Sequence, residues 1–293
     1  MGNQLLNENF IRQRSHELQI PYEHLLAASV LEEVLRRIAE SDAADCFWIT
    51  NYAKLKLECY RKKVELQLHY FVKESKQFHY KKGDVSSLFA VTFRNYKKEP
   101  IHWNYRVRMD GRTIGIDLTG EIANVKVPVS IRLDRVLQEK LVPDQKEIKL
   151  FSNNNRKVCL YCFPSEHVIA EKFLEIMVKL ELLNDLSCYM ELYDILKKES
   201  LSGRKVWELL MEGCRERRIS VDRDRFALWQ SYRTNRYMEQ KWKLYLKREK
   251  RNQPAWQDVM NLAERFFSVI WDYMCRNVVY LGDWMPELER CIE

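Results

Sequence analysis

Residues 59–68, CYRKKVELQL, contain the pattern that decides the fold class of the first half of the chain. Within this stretch, Val64–Leu68 alternates apolar and polar side chains, which predicts a half-buried β-strand. Successive side chains of a strand point to opposite faces, so Glu65 and Gln67 share one face. Two acids at this spacing commonly hold a divalent metal ion, but here one of the two is an amide. The pattern is typical of an ordinary strand edge or of a degenerate metal site.

Short β-rich runs extend from Cys46 to about Tyr161, and their separators hold the Lys, Asn, Gly, Asp and Pro of turns. The runs are FWI, VELQL, SLFAVTF, YRVRM, TIGIDL, VKVPVSIRL, IKLF and VCLYCF. Before them, residues 24–40 predict an amphipathic helix. Its apolar stripe consists of Leu25, Leu31, Leu35 and Ile38.

After Pro164 the pattern becomes helical, with Ser165 as the predicted cap of the first helix. Its predicted buried face consists of Val168, Ile169, Phe173, Ile176, Met177 and Leu180. Further helical stretches are predicted near 187–198, 203–217, 223–250 and 255–278. The sequence therefore predicts an α+β protein: a mixed β-sheet domain with flanking helices over 1–160, followed by an all-helical domain over 161–293.

The bulk composition is that of a soluble globular protein, with 293 residues, 46% hydrophobic and 31% charged. The apolar stretch FFSVIWDYMCRNVVYL is interrupted by Asp272 and Arg276 and is too short to span a bilayer. The first twenty residues lack the apolar core of a secretory signal. We therefore expect a cytoplasmic protein without a membrane partner, whose eight cysteines are reduced. Cys159 and Cys162 would face opposite ways on a strand, so no metal site is predicted there.

Positive charge is concentrated in residues 203–251, which hold fifteen Lys or Arg and seven Asp or Glu. The net charge of the whole chain is +7, so the remainder is close to neutral. Aromatic residues lie among these charges, a mixture that can bind nucleic acid by phosphate contact and base stacking. The alternative is that the aromatics form a helix core beneath a solvated charged face. The candidate nucleic-acid-binding residues are Arg215, Arg217, Arg218, Arg233, Arg236 and Lys241.

Several stretches, taken in order, resemble a known family. They are the helix ASVLEEVLRRIAESDAADCFWI, the run MDGRTIGIDLTGEIANVKVPVSIRLD, the helix FPSEHVIAEKFLEIMVKL with Ala170–Glu171–Lys172, the segment ELYDI with Glu191 and Asp194, and the C-terminal stretches RKVWELLMEGCRERRIS and KWKLYLKR. In this order the chain resembles the nucleotidyltransferase-like toxins of the AbiEii/AbiGii type over nearly its whole length. The resemblance implies a nucleotidyltransferase-like mixed sheet followed by a helical domain.

The resemblance also implies what an active member needs. A turn of two small residues lets the backbone approach the nucleotide triphosphate. An Asp-x-Asp strand and a third acid on a later strand hold two Mg²⁺ ions. A lysine of the helical domain contacts the phosphates.

This chain departs from that pattern at most of these positions. Asn51 and Tyr52 occupy the place of the two glycines, Glu65 and Gln67 that of Asp-x-Asp, and Arg132 that of the third acid. The charges of Glu65 and Arg132 cancel, whereas three carboxylates would supply three negative charges. Each unit-charge pair is worth roughly 4 kcal/mol at about 4 Å and an effective dielectric near 20. We therefore predict the remnant of a metal site, with no cofactor bound.

Two residues, Lys172 and Asp194, match the family pattern as expected nucleotide-binding residues. Asp134 lies two residues after Arg132. If the alignment to the family is shifted accordingly, Asp134 occupies the position of the third acid. A second register would place the acid strand on Arg112–Leu118, but its nearest glycine turn, Gly83–Ser87, lies about thirty residues upstream.

Three functional hypotheses follow. The first is a catalytically impaired, AbiEii-like protein of a bacterial toxin–antitoxin or phage-defence system that binds RNA (tRNA-like) or an antitoxin-like protein. The alternative is an active Mg²⁺-dependent transferase that moves a nucleotide from a nucleoside triphosphate to tRNA or another acceptor. Its rebuilt site would use Glu65, Asp134, Lys172 and Asp194. The third is a structural subunit of a defence assembly whose charge serves solubility.

Overall fold

The computed structural model describes residues 8–50, 66–97, 99–111, 113–122, 124–136, 141–149, 157–249 and 251–292. The chain separates into two compact units, Met1–Phe163 and Pro164–Glu293. The first unit mixes helices and strands, and the second is mostly helical. The predicted α+β class with a helical C-terminal region is therefore confirmed.

The described residues of the first unit form three helices and seven strands. The helices are α1 (Glu8–Leu18), α2 (Tyr22–Ala39) and α3 (Lys82–Thr92). The strands are β1 (Phe47–Ile49), β2 (Leu66–Val72), β3 (His102–Asp110), β4 (Thr113–Ile122), β5 (Val125–Arg135), β6 (Asp144–Lys149) and β7 (Lys157–Cys162). They make one sheet in the order β3-β4-β5-β2-β1-β7-β6. The sheet is mixed, because β2 pairs with β5 and β1 with β7 in parallel, while the other neighbours are antiparallel.

The period-two alternation of the strands determines which face of the sheet is buried. In β5, Val129, Ile131 and Leu133 are buried, and the residues between them point to the other face. The buried side chains of β2 and β4 join the same apolar core as those of α2, which packs against β4, β5 and β7. One face of the sheet is therefore covered by α2, and the opposite face of β2, β4 and β5 presents the polar residues.

Helix α2 confirms the amphipathic helix predicted over 24–40, and its predicted stripe is buried. It also carries a buried guanidinium, that of Arg37. Arg37 donates through Nη1 to the carbonyl of Thr92 at 2.9 Å and through Nε to Glu33 at 2.8 Å, and Nη2 pairs with Glu99. The guanidinium lies 5.3 Å from the centre of the Trp103 ring. These contacts tie the segment that follows α3 to α2, because a buried charge requires partners on every side.

The run SLFAVTF, predicted as a strand, is part of helix α3, so that prediction was wrong. Val85 and Phe89 are buried one turn apart, and Phe93 continues the same line after the helix ends. A spacing of four residues is the helical period, and it outweighed the β-branched and aromatic composition of the run. The glycine turn expected at Gly83–Ser87 therefore does not exist, because these residues lie inside α3.

The second unit contains six helices and three short strands in its described residues. The helices are α4 (Ser165–Lys179), α5 (Ser187–Leu196), α6 (Gly203–Glu216), α7 (Arg223–Ser231), α8 (Arg236–Arg248) and α9 (Trp256–Cys275). The core is aromatic: the ring of Phe173 stacks on that of Phe267 at 3.7 Å and meets Trp229 edge-on at 5.2 Å. The edge-on pair adds to the free energy of burial, because the positive edge of one ring contacts the negative face of the other.

Three details of the helical unit differ from the sequence prediction. The stretch 223–250 is two helices, because the side chain of Asn235 accepts hydrogen bonds from the amides of Tyr237 and Met238 and so starts α8 anew. Helix α4 begins at Ser165, and Pro164 rather than Ser165 holds the N-cap position. The unit is not all-helical, since β8 (Leu201–Ser202), β9 (Asp283–Met285) and β10 (Arg290–Ile292) form a small antiparallel sheet in the order β10-β9-β8.

We expect Gly203→Ala to lower the free energy of unfolding by about 2–3 kcal/mol. Gly203 donates its amide to the carbonyl of Gly282 at 3.1 Å, and a Cβ atom at position 203 would lie 2.1 Å from that same oxygen. A backbone oxygen has little room to move, so the substitution would separate the start of α6 from the C-terminal segment. Urea unfolding monitored by circular dichroism measures the loss.

Gly83→Ala is the matched control, because Gly83 lies within α3 and a Cβ atom there would meet nothing within 4 Å. This substitution should leave stability unchanged or raise it by up to about 1 kcal/mol, since alanine favours helix. Equal destabilisation by both substitutions would contradict the proposed contact between Gly203 and Gly282.

Candidate functional site

A polar cluster lies on the face of the sheet that points away from α2. It arises from the parallel register of β2 and β5, which sets His69 beside Arg132 and Phe71 beside Asp134. The intervening residues of both strands point into the core, so the side chains of this cluster come from alternate positions. The strand β4, which pairs with the other edge of β5, adds Thr113.

Asp134 is the centre of this cluster and accepts from three neighbours. The Nε2 atom of His69 lies 2.6 Å from Oδ2 of Asp134, and Nε of Arg132 donates to the same oxygen at 3.0 Å. The hydroxyl of Thr113 donates to Oδ1 at 2.9 Å. Both carboxylate oxygens are therefore engaged by protein groups.

The environment lowers the pKa of Asp134 below its ordinary value. Partial burial acts in the opposite direction and is the largest single influence, since desolvation disfavours the charged form. The hydrogen bonds from His69 and Thr113, together with the charges of His69 and Arg132, outweigh it. The carboxylate is consequently ionised at neutral pH and held in place by its donors.

The predicted metal-site residues are only partly within the described residues. Asn51, Tyr52 and Glu65 lie outside them. Gln67 lies on β2 and is exposed, and it faces Ser130 of β5. Arg132 is exposed on the same face of the sheet, on β5.

The described residues do not fit a two-metal site. Along the described parts of β2 and β5 there is a single carboxylate, that of Asp134, and an ion bound to it would lie beside the guanidinium of Arg132. No group of three His, Cys, Asp or Glu within the described residues is placed to hold a metal ion. The site therefore offers a mixed-charge network rather than a concentration of negative charge.

His69 is the member of the cluster that the sequence analysis missed. The signal was available, because His69 follows Gln67 by two residues on the same strand and so shares its face. Thr113 could not have been found in this way, since its contact depends on the pairing of β4 with β5.

The second register, on Arg112–Leu118, is not supported by the structure. Arg112 lies outside the described residues, and the glycine turn that this register needed is helical. Asp117 does lie on the polar face, where its carboxylate pairs with Arg108 at 3.1 Å. Both side chains are about half exposed, so the pair is a surface ion pair of small energy.

In the helical unit, Lys172 pairs with Glu191 rather than with Asp194. The ammonium of Lys172 on α4 lies 3.0 Å from the carboxylate of Glu191 on α5. Burial alone would lower the pKa of Lys172, but the charge of Glu191 and a hydrogen bond to it leave this pKa raised. Asp194, one turn further along α5, instead contacts Lys198 at 3.2 Å and Arg251 at 3.8 Å.

The aromatic residues of 203–251 mostly belong to the core, as one of the two interpretations predicted. The side chains of Phe226, Trp229, Tyr232 and Trp242 are buried. Trp207 and Tyr245 are partly buried and pack against the same core. Tyr237 differs, with 57% of its surface exposed. Trp229 and Trp242 are therefore not available as stacking platforms for bases.

Three of the six candidate nucleic-acid-binding residues are engaged within the protein. Arg217 pairs with Glu171, Arg233 pairs with Glu264 at 3.2 Å, and Lys241 donates to the carbonyl of Leu183 at 2.7 Å. The other three are exposed, and no ion pair joins them to an acid of the described chain. They are Arg215, Arg218 and Arg236.

We expect Asp134→Asn to lower the free energy of unfolding by about 1–2 kcal/mol at neutral pH, because charge-assisted hydrogen bonds are lost. The lowered pKa of Asp134 means that its stabilising effect is present above the ordinary value of 3.8 and is lost as the pH falls through the folded-state value. The stability gap between wild type and variant should therefore close at acidic pH. Urea unfolding across that range measures it.

Asp117→Asn is the matched control, since Asp117 lies on the same face but pairs with Arg108 in solvent. Its removal should cost less than about 0.5 kcal/mol. A loss for Asp117→Asn as large as that for Asp134→Asn would show that the cluster has no special stability.

Comparison with known proteins gives a limited result. No protein-family model matches the chain, and no curated protein matches it. Two solved structures from Helicobacter pylori are similar in backbone. JHP933 has 7% sequence identity and a TM-score of 0.47, and the match covers 88% of this chain and 94% of JHP933. A candidate nucleotidyltransferase has 8% identity and a TM-score of 0.45, and the match covers 88% of this chain and 97% of that protein. Similarity at this level bears on neither the family nor the activity of the chain.

None of the described helices has the length and apolar character that a bilayer crossing requires.

Proposed function

We propose that this chain is an AbiEii-like, nucleotidyltransferase-fold protein of a bacterial toxin–antitoxin or phage-defence system that is catalytically impaired and acts by binding RNA. The observation that carries the loss of catalysis is the contact between Arg132 and Asp134. A guanidinium occupies the strand position that the resemblance assigns to the third metal-binding acid, and it lies 3.0 Å from the remaining carboxylate.

The electrostatic consequence is unfavourable for magnesium. Replacing a carboxylate by a guanidinium changes the local charge by two units, and each unit opposes a divalent cation by a few kcal/mol at contact distance. As a ligand, Asp134 would have to share with a cation the lone pairs that now accept from His69, Arg132 and Thr113. Mg²⁺ and nucleoside triphosphate therefore have no place in the proposed activity.

RNA binding is supported by the charge of the helical unit. Residues 203–251 carry eight more positive than negative charges, and Arg215, Arg218 and Arg236 are exposed without acidic partners among the described residues. Because Trp229 and Trp242 are buried and Trp207 is partly buried, contact with phosphate rather than stacking of bases on tryptophan would supply most of the affinity. The partner that we propose is a folded, tRNA-like RNA, whose closely spaced phosphates would contact these arginines.

An active Mg²⁺-dependent transferase is the second candidate, and the observation that favours it is the ionised state of Asp134 on the open face of the sheet. Such an enzyme would join Asp134 with Glu65, Lys172 and Asp194. An antitoxin-like protein is the alternative partner for the impaired form.

The absence of transfer is tested with each of the four α-labelled nucleoside triphosphates, Mg²⁺ and total tRNA. We expect no labelled tRNA above the protein-free background, and no saturable heat in calorimetric titrations with the nucleotides. Transfer that disappears on Glu65→Ala would establish the active alternative instead.

RNA binding is tested by tRNA gel shifts over a range of salt concentrations. The Arg215→Glu/Arg218→Glu double substitution should weaken binding and reduce the slope of log K against log salt by about two, one for each lost phosphate contact. Arg276→Glu/Arg290→Glu makes the same change in net charge elsewhere on the unit and should have a much smaller effect. No detectable RNA affinity even at low salt would favour a purely structural subunit.

A further inference from the structure

Helix α8 has an outward face that the fold leaves uncovered. Its inward face buries Met238, Trp242 and Leu246. On the outside, Tyr237 and Leu244 are 57% and 68% exposed. They are seven residues apart, which is about two turns, so they lie on nearly the same line along the helix. Together they form a short apolar ridge on a helix whose core-facing side is already packed.

Positive charge surrounds this ridge, which we define as Tyr237 and Leu244. At about 100° per residue, one flank carries Arg236, Lys243 and Lys247 and the other carries Lys241 and Arg248. The helix contains one acid, Glu239, which pairs with Lys243 at 2.7 Å. The outward face is thus apolar along its centre and basic on both sides.

Part of this surface is held in place by internal contacts. The ammonium of Lys241 lies 5.1 Å from the centre of the Tyr237 ring and donates to the carbonyl of Leu183 at 2.7 Å. Arg248 lies over the ring of Tyr245 and pairs with Asp185 at 3.3 Å. Lys241, Tyr237 and Arg248 therefore have little left to order when a ligand binds, which favours binding.

The character of the ridge distinguishes between classes of ligand. Leu244 offers no hydrogen bond and no aromatic face, so an RNA base or phosphate would gain little from it. A bilayer surface requires a broad apolar face on the helix, but the broad apolar face of α8 is buried in the core. An apolar side chain of another protein is the group that gains from covering a leucine, and carboxylates are the groups that complement the flanking cations.

We propose that the outward face of α8 docks an acidic amphipathic segment of a partner protein. Apolar side chains of the segment cover Tyr237 and Leu244, and its carboxylates contact the flanking cations, of which Arg236 and Lys247 have no acidic partner within the described chain. This surface shares Arg236 with the RNA-binding proposal but contains neither Arg215 nor Arg218, the two residues that the RNA-binding test substitutes, and docking of the segment does not depend on RNA binding.

The probe is a fluorescein-labelled peptide made of two copies of Glu-Leu-Glu-Glu-Leu-Leu-Glu, titrated with the full chain by fluorescence anisotropy. A second peptide with every leucine replaced by glutamine has the same charge but no apolar face. We expect the leucine peptide to bind at least about tenfold more tightly than the glutamine peptide. We expect Leu244→Gln to remove about tenfold of its affinity, as the loss of one apolar contact predicts.

Leu281→Gln is the matched control, because Leu281 is 69% exposed, like Leu244, but lies between α9 and β9. It should leave the affinity for the peptide unchanged, whereas Lys247→Glu should weaken it and reduce its dependence on salt. Both leucines are exposed, so neither substitution disturbs the core, and circular dichroism verifies the fold.

Two results would overturn the inference. One is equal binding of the leucine and glutamine peptides, or a Leu244→Gln variant that binds the leucine peptide as tightly as wild type. The other is a loss of affinity of Leu244→Gln for a 20-nucleotide poly(U) RNA, which would assign the face to nucleic acid. Neither result bears on the RNA-binding test with Arg215 and Arg218, so the two proposals fail separately.

Discussion

The parallel pairing of β2 with β5 is the constraint on which the polar face of the sheet depends. Because the side chains of both strands alternate with a period of two, burying Leu68 and Ile131 against the core leaves His69 and Arg132 side by side on the opposite face. A shift of one residue in either strand would move its buried side chains to the polar face and its polar side chains into the core. Hydrophobic burial therefore brings together the groups around Asp134, although none of them is apolar.

That cluster shows how protein donors alone can hold a partly buried carboxylate. Asp134 is surrounded by donors on three strands, which lower its pKa and occupy both of its oxygens. A carboxylate with several donors is stabilised as the anion, and a cation would compete with those donors for its lone pairs.

In the helical unit, too, many charged side chains are paired with other groups of the protein. Many of its cations lie within ion-pair distance of an acid, including the pair of Lys172 with Glu191 and that of Arg233 with Glu264. A net charge calculated from sequence overstates the surface available to a polyanion, since paired groups are partly neutralised and restrained. What remains for partners is a smaller set of exposed arginines and the outward face of α8.

The sequence by itself determined the helix α2, the alternation of β4 and β5, the change to helices after Pro164 and the burial of aromatics such as Trp229, because each depends on a local period of apolar residues. It also supplied the prediction that Gln67 and Arg132 stand where the resemblance expects metal-binding acids, since residue identity needs no coordinates. Where two local signals competed, as in α3, composition suggested a strand and the four-residue spacing of Val85 and Phe89 prevailed. Only the tertiary structure decided that His69 and Thr113 surround Asp134 and that Lys172 pairs with Glu191 rather than Asp194. These contacts depend on strand register and helix packing, which join residues far apart in the chain and leave no periodic trace in the sequence.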